Sequence, residues 1–158
     1  MTTPDDPLLV EAIWRAGDLT RAYLVQDREQ VSACLTGLDT AVLDRVLAWL
    51  ALDHDKLFGD LGEPAMSLRE LDAAAALAPL EVELAVTTAV RRVATGETGL
   101  TGAVETLAPL DRIHAVAICT TVLQLEAYGR DEALAQLDVA AARCERMGHH
   151  RPYPNPIV

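Results

Sequence analysis

The stretch Pro109-Leu-Asp-Arg-Ile-His-Ala-Val-Ala-Ile-Cys-Thr-Thr-Val-Leu-Gln-Leu-Glu-Ala-Tyr128 is the most apolar segment of the chain, and it is followed by Gly129-Arg-Asp. Proline at 109 suits a first helical turn, where its missing N–H would have no intrahelical partner in any case. Glycine at 129 interrupts the helix, and from Glu132 to Met147 the residues Ala133, Leu134, Leu137, Ala140, Ala141 and Cys144 recur in helical register. The unit reads as helix, turn, helix.

The same alternation extends towards the N-terminus. Leu9, Ile13, Trp14, Leu19, Tyr23 and Leu24 predict a helix from Leu8 to Val25, and Asp27 restarts a shorter pattern through Val31, Cys34, Leu35 and Leu38 that stops near Gly37. Asp39 is placed to cap the next helix, about Thr40 to Phe58, which ends in Gly59, Gly62 and Pro64. Ser67-Leu-Arg-Glu70 has the form of a capping box and predicts a helix to Ala78; Pro79 ends it and opens another, Leu80 to Thr95. The glycine-threonine segment Gly96 to Gly102 precedes a short helix to Leu107. The tail carries Pro152, Pro154 and Pro156, which exclude a helix. The expectation is an all-α fold of about eight helices in antiparallel hairpins, one domain over 1–148 and an extended proline-rich tail over 149–158.

The breaks are evenly spaced: Asp27 to Gly62 is 35 residues, Gly62 to Gly96 is 34, and Gly96 to Gly129 is 33. Four positions after each stand Val31, Met66, Leu100 and Ala133, and eleven after stand Leu38, Ala73, Leu107 and Ala140. With the turn glycine and small-residue helix of Ala127 to Ala142, this period resembles the tetratricopeptide-type repeat. The resemblance implies a protein-binding scaffold of stacked hairpins. It is specific over one unit only, since Asp55 and Thr88 occupy sites where the first helices of such repeats carry characteristic apolar residues. A short solenoid and a compact bundle are both compatible with the period. In a solenoid, Val86, Val90, Val93, Cys119 and Leu123 would line the concave groove; in a bundle they would be core.

Composition narrows the function class. Alanine occurs 26 times, aromatics are 4% of residues, and the balance of 24 acidic against 13 basic residues gives a formal charge of −11. That charge argues against nucleic acid or an anionic membrane as partner, and a basic protein or peptide would match it better. No run approaches the roughly 18 apolar residues of a membrane span. Cys34, Cys119 and Cys144 cannot all pair within the chain, and each lies in an apolar helical context, which fits reduced thiols in a cytoplasm.

Chemistry has no positive sign. Asp53-His54-Asp55 is the densest set of candidate metal ligands, but adjacent helical positions point apart, whereas a helix-borne site needs spacings of three or four. His114 is a lone histidine in an apolar helix; His149 and His150, beside Arg151, are expected in a solvent-exposed terminus that could form a weak metal or pH-responsive patch. No cofactor motif, nucleophile elbow or phosphate loop is present. The leading expectation is therefore an acidic interaction module, a scaffold, adaptor or regulator, binding a protein or peptide through Arg21, Trp49, Asp53, Asp55, Lys56, Val86, Val90 and Leu123. An immunity-type inhibitor of a basic toxin, docking at Asp53 to Glu63, stays open. So do a small helical enzyme or ligand carrier using His114 or the Asp53, His54 and Asp55 set, and a homodimer joined through the tail.

Overall fold

A computed structural model describes residues 6–154. Among them the chain forms eight helices: α1 (Pro7–Leu24), α2 (Arg28–Ala33), α3 (Thr40–Asp60), α4 (Leu68–Ala75), α5 (Leu80–Ala94), α6 (Leu100–Val104), α7 (Pro109–Tyr128) and α8 (Arg130–Arg146). Local chemistry sets their starts. Asp6, Asp27 and Asp39 each accept a backbone N–H of the first turn with a carboxylate oxygen, and Ser67 Oγ accepts from the Glu70 amide. Each cap satisfies an amide that the helix itself cannot pair. Pro7 and Pro109 occupy first-turn positions of α1 and α7.

The evenly spaced breaks coincide with helix ends. Gly62, Gly96 and Gly129 all have φ between 75° and 78°, and Gln26, beside Asp27, has φ of 60°. Gly129 follows α7 and precedes α8 directly, so α8 begins at Arg130, two positions earlier than the periodicity predicts. A side chain at 129 would be strained by that backbone, not by crowding, since a Cβ there meets nothing within 4 Å. α6 is correspondingly shorter than expected and stops at Val104, where Arg112 turns back to donate to the Leu107 and Glu105 carbonyls.

The helices are wound around α7. Every residue from Ile113 to Leu123 is buried, and α7 packs on α3 most extensively and also on α1, α4, α5, α6 and α8. A helix apolar on all sides has to be enclosed in this way. Stacked hairpins would join neighbours in sequence order, whereas here α1, α3 and α5 all converge on the same late helix. The bundle arrangement decides the status of Val86, Val90, Cys119 and Leu123: each is 0% exposed. Val86, Val90 and Leu123 are therefore core residues and do not line a groove, because α5 packs its face against α7, and α7 is itself enclosed by the surrounding helices.

The polar side chains that α7 buries in the core are partnered. Thr120 and Thr121 donate to the Val116 and Ala117 carbonyls one turn back. His114 Nδ1 and the Tyr23 hydroxyl share a hydrogen bond of 2.7 Å between α7 and α1. Burial pushes the His114 imidazole down to about 4. It pushes the Cys119 and Cys34 thiols up to about 12, with the nearby Asp18 carboxylate adding to the effect at Cys34. These groups are thus held neutral, as expected for packed side chains. His114 thus joins α7 to α1 and does not line the trough described below.

Two outcomes follow for the core. Leu123→Ala should destabilise the protein by roughly 2–5 kcal/mol, read as a lower midpoint in urea. For His114, the unfolded chain takes up a proton at a higher pH than the folded one. Its contribution is therefore fully present above about 6.5 and is lost as pH falls towards about 4, amounting to about 3 kcal/mol. Urea midpoints between pH 4 and 7 should show this slope in the wild type and lose it in His114→Gln; an unchanged slope in the variant would assign it to other groups.

Candidate functional site

α3 and α8 both lie on α1 and α7, but no extensive contact joins them to each other. Between them runs a trough. Its deeper end is a cavity of about 420 Å³ floored by Thr120 and Gln124 of α7 and closed at one side by Trp14, Asp18 and Arg21 of α1. A shallower continuation of about 240 Å³ shares Asp53, Lys56, Gln124, Leu137 and Ala140 with it and extends to Asp60 and Tyr128. The walls are single helix faces. Trp49, Asp53, Lys56, Leu57 and Asp60 recur at three- and four-residue spacing on α3, and Ala133, Leu137, Ala140, Ala141 and Cys144 do so on α8. Each face covers twelve positions, whose eleven steps of 1.5 Å give a length of about 16 Å.

Four of the residues singled out from the sequence, Arg21, Trp49, Asp53 and Lys56, are brought together in this cavity from two helices. Asp55 is not. Its side chain is 77% exposed on the outer surface, where it is hydrogen-bonded to His54 Nδ1 at 3.1 Å. His54 turns the other way, buried and stacked on Phe58 at a centroid distance of 5.5 Å. The three consecutive residues thus point in three directions, as the 100° step of a helix requires. Among the described residues no three His, Cys, Asp or Glu side chains gather as a metal would need.

The electrostatics of the cavity are mixed. Desolvation raises the Asp53 carboxyl above its ordinary value, partly offset by the Lys56 ammonium. Arg21 pairs with Asp138 at the rim. Lys56 and Arg143 form no ion pair within 4 Å among the described residues. The side-chain oxygen of Gln124 is closed off from solvent and has no hydrogen-bond partner within the chain, although other atoms of the residue line the cavity. Cys144, half-buried, is the one cysteine of the three that borders the cavity.

The tail closes the end of the trough next to α1, and the expectation of a free, solvent-exposed terminus is corrected here for His149 and Arg151, while His150 is exposed as expected. The Trp14 indole N–H donates to the His149 carbonyl at 2.9 Å. Arg151 and the Tyr153 hydroxyl both donate to the same Asp18 oxygen. The guanidinium of Arg151 lies 4.6 Å from the Trp14 ring centroid, and that of Arg15 lies 3.7 Å from the Tyr153 ring. Asp18 is 5% exposed, so its carboxylate could not remain in α1 without these partners. Residues 152–154 are non-helical, as the prolines demand; 155–158 lie outside the described residues. Trp14, Asp18, Gln124, Arg143 and Arg151 are the cavity residues that sequence reasoning missed. An aspartate set among apolar neighbours on α1 was the available signal; its partners, 133 and 135 positions away, left none.

No family model matches the chain, and no curated protein or solved structure matches it either.

Asp18→Ala should lower stability by about 1–3 kcal/mol, because two donors lose their acceptor. A chain ending at Gly148 should lose a comparable amount, and combining the two changes should cost no more than the larger alone, since both remove one interaction. Additive urea-unfolding energies would mean that Asp18 and the tail act independently.

Proposed function

We propose that this protein is an interaction module whose trough between α3 and α8 receives a short segment of a partner protein or a peptide. The observation that carries this reading is the shape of the trough: open, elongated over about 16 Å, and walled by two helix faces that do not meet. That length suits about five residues of extended chain or three turns of helix. Two further features support it. Trp14 and Trp49, the two tryptophans of the chain, both border the deep end, and aromatic anchors of this kind dominate the energetics of protein interfaces. Gln124 lines both parts of the trough, and its side-chain amide is suited to the backbone groups that every peptide brings.

The reading favours binding over catalysis because the titratable groups in the cavity are not arranged as an acid and base about a common point. The one buried histidine bonded to a tyrosine sits elsewhere, in the core.

The test is a selection of short random peptides on the immobilised protein, run beside two variants. Ala140→Trp places a bulky ring where both parts of the trough meet, and Ala135→Trp places the same ring on the exposed outer face of α8. Peptides enriched on the wild type should be retained by Ala135→Trp and weakened at least about tenfold by Ala140→Trp. Equal retention by both variants, or no enrichment on the wild type, would overturn the trough as the binding site.

A further inference from the structure

The chain carries 24 acidic and 13 basic residues, yet the deep end of its trough runs the other way. There the charged lining is four basic side chains, Arg21, Lys56, Arg143 and Arg151, against two acidic ones, Asp18 and Asp53. Of the two carboxylates, Asp18 is already engaged by Arg151 and Tyr153. Arg21 is held by Asp138 at the rim. Lys56 on one wall and Arg143 on the other, both exposed, have no ion-pair partner within 4 Å among the described residues.

We infer that the trough selects an acidic segment, one that sets a carboxylate between Lys56 and Arg143. The inference rests on the trough being the binding site. Its physical basis is local: a carboxylate lying between the two walls would act on their cations over a few ångströms, whereas the acidic outer surface acts from further away through screening solvent. The long-range field of the chain slows the approach of an acidic partner, and the local donors decide whether it stays. A basic segment meets the opposite balance: it is drawn to the outer surface and repelled at the cavity.

The charge of the peptides selected as above tests this separately from the trough itself. Peptides whose binding is lost in Ala140→Trp should carry an excess of Asp and Glu over the starting pool. In Lys56→Glu/Arg143→Glu, a double variant whose positions make no ion pair that the fold requires, the same peptides should weaken at least about tenfold, a loss of about 1.4 kcal/mol. Tryptophan fluorescence titrations with one such peptide and its Gln-for-Glu counterpart should show the same ordering, the acidic form binding more tightly and losing its advantage as salt is raised. A trough-dependent pool that is neutral or basic, or one indifferent to the double reversal, overturns the acidic preference while leaving the trough in place. A pool indifferent to Ala140→Trp removes the trough and this inference with it.

Discussion

The structure depends on enclosing α7. From Ile113 to Leu123 no residue of this helix reaches solvent, and such a helix is stable only if each polar group it carries is satisfied before its neighbours close around it. The threonines achieve this within the helix, by bonding carbonyls one turn back. His114 achieves it through Tyr23, which fixes the rotation of α1 against α7. The placement of six other helices follows from covering one buried cylinder, with alanine-rich faces that let their axes come close.

That requirement also creates the trough. α3 and α8 each satisfy α7 and α1 on one side, and having done so they have no need of each other. The space between them is lined by what the enclosure of α7 leaves over: the polar end of α7 at Gln124, the charged face of α3 and the small-residue face of α8. α8 is the lightest of the long helices in this respect, with Ala133 its sole buried residue. Its hold on the bundle comes from α1, α7 and the strap that follows it.

Most of the helical framework was legible in the sequence because its signals are local. Aspartate and serine caps, proline in first turns and glycine at left-handed turns act within a few residues, and the structure uses Asp27, Asp39, Ser67, Pro109 and Gly129 in those roles. The even spacing of the breaks is likewise visible in both, since it records helix lengths. How the helices assemble is not a local property. An apolar column such as Val86, Val90 and Leu123 looks the same whether it faces a groove or a neighbouring helix, and only the position of α7 settles it. The site was half legible for the same reason. Arg21, Trp49, Asp53 and Lys56 stand out as polar or aromatic residues on otherwise apolar helices, whereas Gln124, Arg143 and Arg151 acquire meaning only from what they face.

The strap over Asp18 has a bearing on how the molecule comes into being during synthesis. α1 is the first described helix to leave the ribosome, and it emerges with an aspartate on the face that is later covered. Its partners, Arg151 and Tyr153, are translated more than 130 residues later. The hub helix α7 also follows α1 to α6, so contacts of long sequence separation remain to be made until it arrives. Until then the charge at residue 18 opposes burial of that face of α1. Synthesis of the strap removes the opposition, so that closure of this face is coupled to translation of residues 149–153.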